Sequence, residues 1–253
     1  MAIIGGYALF LIESVLPAVL SRRNMLSISR MSIGWDIDDL TKHLDKLGLS
    51  YDKDMVNKIR AMNSRYSGKE FFRLLGFEDY EDLDFDPSEG ASIIHDMNTP
   101  VPKDLHDRFD FVFENGSIEH IFDIKTAISN IAHMVKVGGV VSHGSPLDAF
   151  NHGFYNFSIN FFNDFYRANG FTDLTFFIVR YASDWQLNQR VQVEAIPYTH
   201  EEFYFKPEVY QSPLDKAYIA CLARKIEHVA VIRTPTQAAY DHKLNLSSRL
   251  KTR

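Results

Sequence analysis

Four short stretches close apolar runs with polar residues: LDFD at 83–86, IIHD at 93–96, FVFENGSIEH at 111–120 and VVSHGSP at 140–146. In open α/β sheets ligands bind outside the carboxyl ends of the strands, so these tips are where chemistry is to be sought. Asp84 offers two carboxylate oxygens that match the vicinal hydroxyls of a ribose. Asp96, at the next strand's end, suits the exocyclic amine of adenine, with Met97 as an apolar ring contact. Singly, each aspartate also serves as a helix cap or turn former; the ordered set points to an adenosine-bearing cofactor.

In FENGSIEH, Glu114 and Asn115 lie at a strand tip facing cofactor or substrate, and Gly116 permits a tight turn. His120 has two readings. A free imidazole titrates near working pH and serves as a general base; equally, Glu119 and His120 cap and pin the following helix. His143 and His152 are rival bases in SHGSPLDAFNHGFYNFS, where Phe154 and Tyr155 either wall an acceptor pocket or are core aromatics.

Several chemistries are excluded by pattern. Five of the ten histidines fall between His95 and His143, yet no HxH or HExxH pair occurs, so no metal site is expected. The serines of NGSIE and HGSPL lack the flanking glycines of a nucleophile elbow. A nicotinamide enzyme needs GxGxxG at the first turn, which is absent.

The elements that must position these residues follow from periodicity. Ile37, Leu40, Leu44 and Leu47 predict a helix over 36–47 stopped by Gly48, with further helices over 53–64 and 67–75. From Tyr80 the texture turns to strand-like runs: YEDLDFD, ASIIHD, RFDFVFEN and GGVVSHGS. Between the last two, Ile124, Ile128, Ile131, Met134 and Val135 form one apolar face of a helix ended by Gly138 and Gly139. Near-continuous apolar strands around a helix predict a parallel α/β sheet. SINFFNDFYRANG is a helix opened by Ser158, LTFFIVRYA a strand, and KAYIACLARK the last strand. Residues 182–215 are too long for an ordinary connection and predict a lid, an edge extension or an oligomer contact.

With 253 residues, 45% hydrophobic and 24% charged, the chain has the composition of a globular domain. We expect one domain over 1–233, its first 75 residues helical but including the first strand, and a tail over 234–253. A net charge of −6 argues against nucleic acid as a partner. The lone Cys221 excludes an internal disulfide and fits a cytoplasmic setting. The N-terminal run AIIGGYALFLIESVLPAVL is interrupted by Glu13 and Pro17 and is expected as buried helical turns covering the site, without stable membrane insertion.

Residues 71–225 resemble the class I S-adenosylmethionine-dependent methyltransferases, on the segments LLGFEDYEDLDFDPSEGASIIHDMN, FDFVFENGSIEHIFD, KVGGVVSHGSP and NHGFYNFS. The resemblance implies a Rossmann-like fold, S-adenosylmethionine as cofactor and a small-molecule acceptor methylated on oxygen or nitrogen, with a homodimer allowed. It implies cofactor contacts from Ser29, Arg30, Asp84, Asp96, Met97, Glu114, Asn115 and Gly116, and a base among His120, His143 and His152. The chain departs from that family at its first turn, where Ser29 stands in place of a glycine. The alternative is an inactive, methyltransferase-like scaffold.

Overall fold

The computed structural model describes residues 2–62, 65–149, 152–181, 193–198 and 217–240. The chain opens with β1 (Ala2–Ile4) and α1 (Gly5–Phe10), continued by a π turn over 11–15 and a 3-10 turn over 16–18. Then come β2 (Asn24–Ile28), β3 (Ser32–Gly34), α2 (Ile37–Lys46), α3 (Lys53–Arg60) and α4 (Gly68–Leu74). Side-chain caps start these helices: Asp36 accepts from Asp38 and Asp39 N–H, Asp52 from Asp54 and Met55 N–H. Ser67 and Glu70 form a capping box on α4.

The second half alternates strand and helix: β4 (Asp79–Asp84), β5 (Ile93–Ile94), β6 (Phe109–Asn115), α5 (Ile124–Met134), β7 (Val135–Asp148), α6 (Ile159–Ala168), β8 (Phe171–Tyr181), β9 (Val193–Tyr198) and β10 (Ala217–Lys225). One eight-stranded sheet has the order β5-β4-β2-β6-β7-β10-β8-β9, and β1 pairs with β3 in a separate two-stranded sheet. The five strands from β5 to β7 run parallel. β10 lies antiparallel to both β7 and β8, and β9 extends the edge antiparallel to β8. This is the mostly parallel, Rossmann-like α/β architecture expected from the sequence.

Both faces of the sheet are covered, which is why β6 is apolar at nearly every position. Phe111 and Phe113 pack with Tyr7, Leu11, Leu40 and Phe72 on the side of the N-terminal helices. Val112 packs with Ile128, Ile131, Phe162 and Tyr166 on the side of α5 and α6. Each such fully buried side chain contributes about 1.5–3 kcal/mol.

Three expectations are corrected or extended. The helix over 124–134 is not ended by the glycine pair, because the chain enters β7 directly at Val135. Gly138 and Gly139 instead serve a bulge: Gly138 has φ +87°, and a Cβ on Gly139 would come within 2.9 Å of the Phe109 carbonyl. Of the 182–215 segment, β9 is an edge extension; its remaining residues, and 241–253 of the tail, lie outside the described residues. Among the described residues no helix is long and apolar enough to cross a membrane.

Lys225, at the end of β10, is 1% exposed and fully engaged, donating to Asp107 Oδ1 (2.6 Å), Ala132 O (2.9 Å) and Val135 O (2.7 Å). A buried ammonium persists only when its donors are all met, as here.

Candidate functional site

The chain begins its main sheet in the middle with β2, travels outward to β4 and β5, then returns to β6 on the other flank. The order therefore switches between β2 and β6, and a crevice opens at their carboxyl ends. Ser29 follows β2 with φ 66°, a left-handed conformation that a side chain disfavours by roughly 1–2 kcal/mol. Its hydroxyl accepts from Ser117 Oγ at 3.0 Å, and Ser117 Oγ also lies 3.1 Å from Ile28 O, so hydroxyls tie the two strand tips together. The Gly116 turn has φ +80°, as expected for that glycine.

Ser29 yields a first prediction. Ser29→Gly is expected to unfold in urea within about 1 kcal/mol of the parent, because relieved strain offsets a lost hydroxyl bond of similar size. Ser29→Val, branched at Cβ in that conformation, is expected to cost about 2 kcal/mol or more. Equal stability of the two variants would mean that the turn relaxes out of the left-handed region.

Asp84 lies half-buried beside this turn, accepting from Arg30 N–H (3.2 Å) and Asp86 N–H (3.2 Å). The Arg30 side chain points away from a carboxylate role: its guanidinium bonds the carbonyls of Glu89 and Gly90. Asp96 is exposed and closes its own turn, and hydrogen bonds from Asn98 hold its carboxyl below the usual range. Met97 is buried against the core rather than exposed at the rim.

Glu114 and His143 are turned inward, against the orientation expected from the sequence. Glu114 does not face the crevice. It is fully buried, accepting from Ser117 N–H (2.7 Å), Ile118 N–H (3.3 Å) and Ser145 Oγ (3.3 Å), and stands 2.8 Å from His143 Nδ1. His143 is likewise fully buried, its Nε2 2.6 Å from the Tyr166 hydroxyl, so it is not an accessible base. Burial pushes the Tyr166 phenol well above its ordinary range, and a neutral hydroxyl donating to Nε2 leaves the Nδ1 proton for Glu114. The physical reason is strand parity: Glu114 shares the face of Val112, under α6.

Asn115 points the other way. A Cβ on Gly144 of the neighbouring strand would collide with Asn115 Oδ1 and the Tyr7 hydroxyl, so α1 sits directly over these strand tips. The Tyr7 hydroxyl is buried and makes no hydrogen bond among the described residues, and burial holds it protonated. Sequence reasoning missed this tyrosine, because nothing local to GGYALF marks where the helix docks.

His120 and His152 are brought together beside Glu119. Their rings are 5.0 Å apart, each is partly exposed, and both Nε2 atoms approach Glu119 Oε1, at 4.0 Å for His120 and 3.4 Å for His152. Glu119 itself is fully buried in the 3-10 turn Ile118–His120 and neither of its carboxyl oxygens bonds a helix N–H, so the capping reading does not describe it. Burial, reinforced by the charge of Glu114, raises its carboxyl to about 8. Tyr218 of β10 flanks the cluster, its phenol raised by burial and by Glu119. Beyond it, the exposed rings of Phe122 and Phe154 meet edge-on at 5.4 Å, and Tyr155 donates to Phe122 O at 2.7 Å. The carboxyl ends of the parallel strands thus carry Asp84 after β4 and the Glu119, His120 and His152 cluster in the loops after β6 and β7.

No protein-family model and no curated protein matches the chain. Solved structures do. A SAM-dependent methyltransferase from Archaeoglobus fulgidus is 11% identical with a TM-score of 0.44, covering 85% of this chain and 91% of its own. Phosphoethanolamine N-methyltransferase 2 of Haemonchus contortus, in complex with S-adenosyl-L-methionine, is 14% identical with a TM-score of 0.41, over 88% of this chain and 54% of that one. The branched-chain polyamine synthase of Thermus thermophilus is 14% identical with a TM-score of 0.40, over 89% and 56%. At TM-scores below 0.5, function has to be argued from the chain's own geometry.

Proposed function

We propose that this chain is an S-adenosylmethionine-dependent methyltransferase acting on a small-molecule acceptor through oxygen or nitrogen. The observation that carries the reading is the turn after β2. A dinucleotide cofactor needs a helix N-terminus there for its pyrophosphate. Here β2 leads into β3, and the next helix, α2, opens with Asp36 already on its free N–H groups and Asp38 and Asp39 in its first turn. Phosphate is repelled from that end, whereas an adenosine carrying a sulfonium amino acid needs no such anion site.

In this reading Asp84 takes the ribose hydroxyls and Asp96 borders the adenine. The Ser29–Arg30 backbone and the Asn115–Gly116 turn approach the amino-acid end, with Tyr7 closing over it. Glu114 holds that turn from beneath. The acceptor enters between Phe122, Phe154 and the cluster of Glu119, His120 and His152, which governs the proton on its nucleophile. Methyl transfer needs donor and nucleophile in line, so the main contribution of the crevice is placement.

Calorimetric titration with S-adenosylmethionine and S-adenosylhomocysteine tests the proposal. Micromolar binding is expected for the parent, weakened at least about thirtyfold by Asp84→Ala, with thermal unfolding confirming that the variant is folded. Failure of the folded parent to bind either ligand would overturn the cofactor reading and favour the scaffold alternative.

A further inference from the structure

Glu119 poses a physical problem that the methyl-transfer reading does not solve. Its side chain is 0% exposed, and neither oxygen accepts a hydrogen bond from a described residue. A buried carboxyl left in that state costs free energy comparable to a lost hydrogen bond or more, and such a group calls for a specific explanation. The backbone goes to some length to keep it there. Phe154 N–H donates to Glu119 O at 2.8 Å, and a Cβ on Gly153 would fall 2.8 Å from that carbonyl and 2.9 Å from Glu119 Cγ. Glycine at 153 thus lets the loop after β7 close onto the loop after β6, which delivers His152 to Glu119.

The spacing of the three side chains distinguishes a hydrogen-bonded pair from a ligand set. A carboxylate bonded to an imidazolium stands about 2.7–2.9 Å from it. Ligands held about 2.0–2.1 Å from a tetrahedral ion stand roughly 3.3–3.4 Å from one another. Glu119 Oε1 and His152 Nε2 are 3.4 Å apart, Glu119 Oε1 and His120 Nε2 4.0 Å, and one donor atom from each residue falls within 4.8 Å of the others. The donors are therefore too far apart for strong mutual bonds; the Glu119–His152 pair stands at the edge length of a coordination polyhedron, and His120 lies wider, within reach of the same centre by a small side-chain rotation.

We propose that Glu119, His120 and His152 form a binding site for a divalent first-row transition metal ion, with open coordination positions toward the acceptor end of the crevice. Two imidazoles and one carboxylate suit zinc, cobalt, iron or nickel better than magnesium or calcium, which prefer all-oxygen shells. The buried carboxylate then gains a positive partner, and the exposed edges of the two histidines leave room for further ligands. The site stands independently of the cofactor. Its use does rest on the methyl-transfer reading: there, an ion at this place would bind an acceptor oxygen and lower the pKa of its proton.

The test uses the full-length, tag-free protein stripped with chelator, with Co2+ as optical probe and Zn2+ as calorimetric probe. One equivalent of Co2+ with the visible absorption of a four- or five-coordinate site, displaced by Zn2+, is expected at micromolar affinity. Glu119→Gln and His152→Asn are each expected to weaken binding at least tenfold. His106→Ala, in the stacked His106–His133 pair away from the cluster, is expected to leave it unchanged. Thermal unfolding of each variant separates ligand loss from misfolding, and Gly153→Ala, which keeps all three ligands but parts the loops, is expected to lower affinity as well. Absence of stoichiometric binding, or binding lost in His106→Ala instead, would overturn the site. Titrating S-adenosylmethionine into the stripped protein keeps failure of the metal site distinct from failure of the cofactor reading.

Discussion

Glu114→Ala is expected to lower the unfolding free energy by about 3–5 kcal/mol, the cost of removing one partner from a buried, hydrogen-bonded ionisable pair. The substitution would leave the Ser117 and Ile118 N–H groups and His143 Nδ1 buried without the carboxylate that now meets them at 2.7, 3.3 and 2.8 Å. For a domain of this size such a loss lowers the melting temperature by roughly 6–20 °C. Glu114→Gln should be far milder, about 1–2 kcal/mol. Its amide oxygen still accepts from the two backbone donors, and its amide nitrogen can donate to His143 Nδ1 once the imidazole moves its proton to Nε2 and donates to Tyr166. Denaturant unfolding of both variants decides the matter. Alanine within 1 kcal/mol of the parent would mean that the network is not structural; glutamine as damaging as alanine would mean that the negative charge itself is required.

Glu119 is expected to make stability fall as pH rises in the chelated protein. Its carboxyl is raised to about 8 by burial and by Glu114, against 4.5 for an ordinary glutamate. Below about 4.5 both folded and unfolded chains hold the proton. Between about 4.5 and 8 the folded state keeps a proton that the unfolded chain has released, so the unfolding free energy declines through that window. Glu119→Gln has no such proton, and its advantage over the parent should grow to on the order of a few kcal/mol above pH 8. With Zn2+ saturating the site the slope should reverse, because metal binding displaces protons and strengthens as pH rises. Melting temperatures from pH 5 to 8.5 for both proteins, with chelator and with zinc, test this. Parallel profiles for parent and variant in chelator would show that Glu119 is not held protonated by the fold.

Much of this was open to reading from residue order alone. The strand-like runs, the α5 apolar face and the Asp84 strand end all emerged from periodicity and punctuation, because each depends on neighbours within a few positions. Orientation at the strand tips was harder. β6 is buried on both faces, so hydrophobicity does not reveal which side Glu114 takes; parity with Val112 does, once the face under α6 is known. Met97 and His143 were misplaced for the same reason, since burial at a strand end depends on which helix crosses it. The meeting of Glu119 with His152 lies beyond local pattern, as the two residues come from separate loops. A signal existed nonetheless: those loops follow β6 and β7, which are neighbours in the sheet, and the glycine after His152 is where such loops can touch.

The place of β10 has a consequence for how the chain comes into being. β7 and β8 are not neighbours in the finished sheet; the strand between them is β10, the last of the described strands in chain order. Until residue 225 has left the ribosome, two long apolar strands each present an unpaired edge, and the partly buried Asp107 carboxylate lacks its ammonium partner from Lys225. Pairing this late in the chain is slow and leaves such edges open to other chains. The nascent protein therefore holds an incomplete sheet until more than two hundred residues have been made, and the nine-residue β10 acts as the keystone that turns two separate flanks into one fold.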